Sequence, residues 1–175
     1  MGRAKCAAFF MLFAPWIIAT PSEVSVAHSQ DRIEITTYLA RINLDCVHAW
    51  IAQKRHWRGR MPRSVFERAV RGSLCFGALE RGATIGFCRV ISDRATFAYL
   101  SDMFVAPARR GSGIGKAIMA VIMDHPELKT VHLWLLVTPD AHGLYARHGF
   151  CALGAPGRYM ERRDAEVYQR IAEEG

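Results

Sequence analysis

The five cysteines of this chain form no C-x-x-C pair. That absence excludes the ligand spacing of a zinc ribbon and the motif of a thioredoxin-like redox site. The cysteines lie within apolar stretches, which predicts buried, reduced thiols and a reducing compartment. The five positions are Cys6, Cys46, Cys75, Cys88 and Cys151.

Apolar runs long enough to span a membrane are missing as well. The best candidate, between Cys6 and Ala19, is too short for a comfortable span, so no stable membrane span is expected. Basic residues precede this run and Ser25-Val26-Ala27 resembles a cleavage site, which is the pattern of a signal peptide. A disordered extension and a translation start further along the chain are the alternatives.

This N-terminal segment sets the predicted domain boundary. We assign residues 1–30 to an extension and residues 31–175 to a single folded domain. A chain of 175 residues with 51% hydrophobic and 22% charged residues suits one core. The expected location is the cytoplasm, with export as the alternative if the segment is a genuine signal peptide.

Acidic residues are fewer than basic ones: the chain has 16 Asp and Glu and 23 Lys and Arg, which give a net charge of +7. This balance suits an acidic partner, either a nucleic acid or a small polyphosphate. The sequence contains no RNA-recognition aromatic motif and no zinc-finger spacing, so a nucleic-acid partner is not expected. The alternative interpretation, an excess of surface charge with no dedicated anion site, stays open.

Hydrophobic periodicity predicts the structural elements. Helical spacing marks NLDCVHAWIAQ and PRSVFERAVRG, the second opened by Pro62 and closed by Gly72. Strand patterns in LCFGALER, TIGFCRVIS and TFAYLSDMFV predict an antiparallel meander. The order then continues with a helix in IGKAIMAVI, an apolar and hence central strand in TVHLWLLVT, a short helix in DAHGLYARHG, a last strand in RYMERR and a helix in DAEVYQRIAEE. The sequence therefore predicts one α/β domain.

A glycine-rich turn, PARRGSGIGKA, precedes the third predicted helix. Backbone N–H groups at the start of a helix favour an anion, and glycines let it approach closely. A Walker A loop is excluded because Arg110 stands in place of its first glycine and Ala117 in place of its hydroxyl residue. The Rossmann spacing lacks its third glycine in either frame. What remains is Arg110-x-x-Gly113-x-Gly115, either an anion site or a plain strand-to-helix turn.

Two motifs resemble the GNAT superfamily of acetyl-CoA-dependent N-acetyltransferases. The segment YLSDMFVAPARRGSGIGKAIM contains the family's cofactor motif, and LWLLVTPDAHGLYARHGF contains its later tyrosine motif. The motif residues are Arg110, Gly113 and Gly115, followed by Tyr145, Gly149 and Phe150. The resemblance implies a GNAT-like fold, with a mixed, mostly antiparallel central sheet and helices on both faces.

The resemblance also implies where acetyl-CoA binds. Its pyrophosphate would lie on the backbone amides of the glycine turn, and its pantetheine arm would meet the main chain of the preceding strand. In the family that strand carries a bulge and splays away from the next strand, and an N–H there polarises the thioester carbonyl. The cofactor-binding residues are then Met103, Phe104, Val105, Arg110, Gly111, Ser112, Gly113, Ile114, Gly115 and Lys116. No metal is implied.

The same resemblance implies proton-transfer roles. Tyr145 is expected to protonate the departing thiolate, with a packed aromatic side chain as the alternative. Asp102 is the preferred general base, acting through water, although a strand-end aspartate is a simpler interpretation. His142, one helical turn before Tyr145, is the second candidate for the base. Thr138 stands where many family members have an asparagine that contacts the cofactor.

Three functions remain open at this point. The first is N-acetylation of a primary amine on a small molecule or a protein. The second is a non-catalytic module that binds coenzyme A, and the third is nucleic-acid binding through the basic surface. The loop KRHWRGRMPR borders the acceptor side expected from the resemblance and could recognise a carboxylate or an aromatic group. Assembly as a homodimer is also left open.

Overall fold

A computed structural model describes residues 24–26, 33–53 and 61–173 of the chain. Six strands form one sheet in the order β1 to β6, with β6 parallel to β5 and every other pair antiparallel. The strands are β1 Val24–Val26, β2 Ile33–Thr36, β3 Leu74–Glu80, β4 Ala83–Ser92, β5 Phe97–Val105 and β6 Leu133–Leu135. The helices are α1 Leu44–Gln53, α2 Arg63–Arg71, α3 Ile114–Asp124, α4 His142–Ala146 and α5 Val167–Glu173.

Helices cover both faces of the sheet, as predicted. One core cluster joins Val47 and Ile51 of α1 and Phe66 of α2 to Phe87 of β4. The other joins α3 to the opposite face. The close fit of α3 depends on Gly86, since a Cβ there would lie 3.1 Å from the side chains of Ile114 and Ile118.

The C-terminal part of the sheet differs from the prediction. β6 is a short edge strand of three residues rather than a long central one. The predicted strand RYMERR is wrong, because Pro156–Arg158 forms a 3₁₀ turn and the following residues have no regular structure. Met160 is 97% exposed, so this mostly charged segment offers no buried face for a strand to pack.

The four described cysteines are all free thiols. Cys75 and Cys88 are buried, as expected, and burial raises the pKa of the Cys75 thiol to about 12. Cys46 is partly buried, whereas Cys151 is exposed, which corrects the expectation for that residue. Cys6 lies outside the described residues.

β1 lies within the segment that the sequence assigns to the N-terminal extension. Its residues pair with β2 in antiparallel register, with Val24 opposite Ile35. The described core residues begin at Ile33. We therefore expect a chain that starts at Gln30 to fold around β2 to β6.

This expectation is tested by comparing the thermal unfolding of two truncated chains. One starts at Ser22 and keeps β1, whereas the other starts at Gln30 and loses it. Both should unfold cooperatively, with a modest decrease in Tm for the shorter chain because an edge pairing is removed. Loss of cooperative unfolding in the shorter chain would place β1 within the essential core.

His125, which ends α3, predicts a pH dependence of stability. Its side chain is 6% exposed, packs edge-on against Phe76 at 5.4 Å, and leaves a buried Nδ1 without a hydrogen-bond partner in the described structure. Burial lowers the pKa of this histidine below its ordinary value. The unfolded chain then binds a proton on this histidine more readily than the folded chain does. The free energy of unfolding therefore does not change through His125 above about pH 6.5, and it decreases as the pH falls below that value.

Urea unfolding at pH 7.5 and pH 5.5 measures this effect. The wild-type protein should lose stability at the lower pH, and His125→Leu should lose less because it has no titrating group. His132→Gln, a change at an exposed histidine, is the control and should behave like the wild type. Equal pH dependence in all three proteins would contradict the prediction.

Candidate functional site

β5 and β6 separate to form a cleft. They pair in parallel from Phe97 opposite Leu133 to Tyr99 opposite Leu135. β6 ends at Leu135, whereas β5 continues to Val105. The second half of β5 therefore has one edge directed toward the space between the strands.

A bulge in β5 lies beside this cleft. Phe87 pairs with Phe104, but Arg89 pairs with Ser101, so two residues of β5 lie opposite the single residue Cys88. One of the two, Asp102, has a φ of 57°, in the left-handed region that favours glycine.

The main chain of β5 resumes its pairing with β4 beyond the bulge. The Ala106 N–H donates to the Ile85 carbonyl at 2.8 Å. Hydrogen-bonded and non-bonded pairs alternate in an antiparallel ladder, so the neighbouring Val105 directs its N–H and C=O away from β4. Those groups face the cleft, on the strand where the resemblance places the pantetheine arm.

The glycine turn follows β5 directly and opens α3. Gly111 and Gly113 have φ values of 78° and 86°, and Gly113 is the residue that precedes the first turn of α3. A Cβ at either glycine would meet no atom within 4 Å, so both face open space. The first N–H groups of a helix lack partners within it, and this combination is suited to a phosphate group.

The side chains of Ser112, Ile114 and Lys116 differ in their exposure and hydrogen bonding. Ser112 donates its hydroxyl to the Arg109 carbonyl at 2.6 Å, and the Ile114 side chain is 1% exposed and belongs to the core. Ile114 can therefore offer its backbone alone to a ligand. Lys116 is exposed in the first turn of α3.

Arg110 folds back over the end of β5. Its Nε donates to the Val105 carbonyl at 3.3 Å, and its guanidinium lies 5.6 Å from the centre of the Phe104 ring. Trp50 of α1 stacks on the same ring, with centroids 4.5 Å apart. Sequence reasoning missed Trp50, although it follows Val47 by three positions on the same helix.

The tyrosine motif comes close to the glycine turn. A Cβ at Gly115 would lie 3.4 Å from the side chain of Leu144, so α4 packs beside the start of α3. Tyr145 is 7% exposed and packs against the Phe150 ring. Burial raises the pKa of its hydroxyl, and nearby Cys88 contributes in the same direction. The phenol therefore stays protonated at neutral pH.

The two candidate bases occupy different environments. The Asp102 side chain is 8% exposed and accepts a hydrogen bond from Arg89 Nε at 2.8 Å. It is therefore a buried, ion-paired carboxylate rather than an exposed strand-end residue. His142 is exposed at the start of α4.

Thr138 has a local structural role in this site. Its hydroxyl oxygen accepts a hydrogen bond from the Ala141 N–H at 3.0 Å, just before α4 begins. The threonine thus orders the loop that leads to Tyr145. The loop 54–60, expected on the acceptor side, lies outside the described residues.

The described residues contain neither a membrane-spanning helix nor a metal-binding cluster of side chains. None of the helices placed there is long and apolar enough to cross a membrane. No group of three or more His, Cys, Asp or Glu side chains is arranged there to hold a metal ion.

Comparison with known proteins identifies the class to which this fold and cleft belong. The family model described as acetyltransferase (GNAT) domain matches residues 71–152. A GNAT-family protein from Xanthomonas campestris pv. campestris, known from its crystal structure, is 41% identical and superimposes with a TM-score of 0.74. The match covers 78% of this chain and 96% of that one. The chain belongs to the GNAT family of acetyltransferases.

More distant relatives are consistent with this assignment. A Gibberella zeae protein described as a candidate acetyltransferase is 25% identical over 137 residues, which cover 65% of this chain and 76% of that protein. An aminoglycoside N-acetyltransferase, solved in complex with CoA, shares the fold with a TM-score of 0.53 at 18% identity. That match covers 80% of this chain and 99% of the other.

Proposed function

We propose that this protein transfers the acetyl group of acetyl-CoA to a primary amine by direct attack. The observation that carries the proposal is the continuity of the cleft and the glycine turn. The cleft edge of Val105 leads within a few residues to the open N-terminus of α3. A ligand with an extended amide arm and a pyrophosphate fits that sequence of groups.

The binding residues follow from this placement. Main-chain groups of Met103 and Val105 would meet the pantetheine amides, whereas Phe104 directs its main chain to Phe87 of β4 and would only border the arm. The N–H groups from Gly111 to Lys116 would hold the pyrophosphate. Arg110 would leave the Val105 carbonyl and turn toward a phosphate, because its hydrogen bond to that carbonyl is long, at 3.3 Å, and a phosphate offers it a charge-assisted one. Acetyl-CoA binding by structural neighbours supports this assignment.

Main-chain and side-chain groups of the protein would act in separate steps of the acetyl transfer. A main-chain N–H of the bulged strand would polarise the thioester carbonyl as the neutral amine attacks its carbon. Tyr145 would then donate its phenolic proton to the departing sulfur as the C–S bond breaks, and the proton that the attacking nitrogen loses would pass to water and restore the phenol. Burial makes this phenol a weaker acid than an ordinary tyrosine, so the role is supported by the family resemblance and by the position of Tyr145 rather than by its pKa. Asp102 as general base remains a prediction from the family resemblance.

Acetyl-CoA turnover with a panel of amines tests the proposal. Release of free thiol should depend on both acetyl-CoA and an acceptor. The panel should include aminoglycosides, since one structural neighbour carries that name, together with small amines and peptides. Binding of acetyl-CoA without turnover of any acceptor would favour a non-catalytic CoA-binding module.

The remaining assignments are proposals about the whole protein. Residues 31–175 would form the acetyltransferase domain, with β1 added to its sheet edge. A cytoplasmic location is proposed from the reduced cysteines that the sequence predicts, and assembly as a homodimer stays open. Size-exclusion chromatography with light scattering measures the assembly directly.

A further inference from the structure

Arg89 is a buried arginine at the centre of a hydrogen-bond network. Its side chain is 4% exposed, and Nε donates to Asp102 Oδ2 at 2.8 Å. Nη1 donates to Ser73 Oγ at 3.0 Å and to the Ala69 carbonyl at 3.4 Å, and Nη2 donates to Ser101 Oγ at 3.3 Å. One guanidinium therefore ties α2 and the residue before β3 to the bulge in β5.

The bulge has an unfavourable backbone conformation. Asp102 has a φ of 57°, which a glycine adopts freely and which costs a residue with a Cβ free energy, although less for aspartate than for most. Its carboxylate is held by Arg89 with little exposure to water. The ion pair with Arg89 therefore offsets part of the free-energy cost of the positive φ at Asp102.

The position of the bulge gives this ion pair a functional consequence. Met103, the second residue of the bulge, and Phe104 and Val105 follow Asp102 without a break. The bulge sets the direction in which the main-chain N–H and C=O groups of the following residues of β5 point. A shift at Asp102 would therefore move the main-chain groups on which the cofactor arm is proposed to lie.

We propose that Arg89 is a positioning residue that anchors Asp102 and thereby fixes the bulge for acetyl-CoA. Asp102 then serves as the anchor of the bulge rather than as the general base. The inference rests on the proposed function, because it assumes that acetyl-CoA lies along residues 103–105. It adds to that function a role for two side chains that need not touch either substrate.

The first test is the affinity of acetyl-CoA for folded variants, measured by calorimetry. Arg89→Gln should raise the acetyl-CoA Kd at least about tenfold, or about 1.4 kcal/mol. Arg89→Met/Asp102→Gly should recover much of the affinity, because it leaves no unpaired buried charge and a glycine accepts the left-handed φ. Arg94→Gln, which breaks an ion pair with Glu127 at the surface, is the matched control and should keep the wild-type Kd.

The second test separates an anchor from a base. Asp102→Asn keeps an oxygen that can accept from Arg89, and asparagine tolerates the left-handed region better than most residues. The proposal expects any loss in this variant to appear in the acetyl-CoA Kd, with both limbs of the pH profile of kcat retained. A general base would instead cost about 10²- to 10⁴-fold in kcat and remove a limb of the profile.

Several results would overturn the inference. A folded Arg89→Gln protein with the wild-type Kd would show that the pair is merely structural, whatever its Tm. A collapse of kcat in Asp102→Asn at unchanged Kd would restore Asp102 as the base. If Arg89→Gln does not fold, Arg89→Met/Asp102→Ala replaces it, since this variant removes the ion pair without leaving a buried charge and keeps a Cβ at the left-handed position, and an unchanged Kd there would be equally contrary.

Failure of the proposed function gives a different pattern. If wild type and Arg94→Gln both fail to bind acetyl-CoA, the proposed cofactor site is wrong and the inference falls with it. If both bind and Arg89→Gln binds equally well, the inference alone is wrong.

Discussion

Tyr145→Phe should lower kcat by about 10²- to 10⁴-fold while the KM for acetyl-CoA changes little. Phenylalanine keeps the ring that packs against Phe150 and removes only the hydroxyl. A phenol carries its proton at neutral pH, so Tyr145 can donate it as the thiolate leaves. Without it, the sulfur must take a proton from water or depart as the anion.

Steady-state kinetics with pre-steady-state controls measure this effect. Chemistry must first be shown to limit turnover, because a slow product release would conceal the loss. Tyr38→Phe, at a tyrosine that is 50% exposed, is the matched control and should be neutral. An unchanged kcat for Tyr145→Phe would leave Tyr145 as a packing residue, whereas a large increase in Kd would make it a cofactor contact.

Gly113→Val should raise the acetyl-CoA Kd well over tenfold, or above about 1.4 kcal/mol. Gly113 has a φ of 86°, which valine adopts only with strain, and its missing Cβ leaves the open space at the start of α3. The substitution both distorts the turn and fills the space proposed for the pyrophosphate.

A second glycine separates these two causes. Gly82, in the turn between β3 and β4, has a φ of 81° and likewise faces open space. Gly82→Val should impose similar backbone strain and a similar decrease in Tm without a comparable loss of affinity. Wild-type affinity in a folded Gly113→Val protein would refute the assignment of the glycine turn.

Local patterns predicted most of the sheet and its helices. α2 begins after Pro62 and ends before Gly72, as its sequence indicates, because both residues act through their own backbone. The hairpin of β3 and β4 and the long β5 also follow their apolar patterns. The prediction was wrong at TVHLWLLVT. Its apolar residues predict a long, central strand, but β6 diverges from β5 and the ladder ends at Leu135.

The candidate site was predictable where spacing and backbone carry the information. The positive φ of Gly113 and the nearness of α4 to the turn agree with the two motifs. The partners of Asp102 and Phe104 were not predictable, because Arg89 and Trp50 reach them from distant parts of the chain. Side-chain pairing across elements has no local signature in a single sequence.

The short ladder between β5 and β6 has a kinetic consequence. β6 pairs with β5 over three residues only, so it should open locally more often than β3 and β4 do. Amide hydrogen exchange should therefore be faster in β6 than in that hairpin, and it should slow when a ligand arm lies beside β5 as an additional strand would.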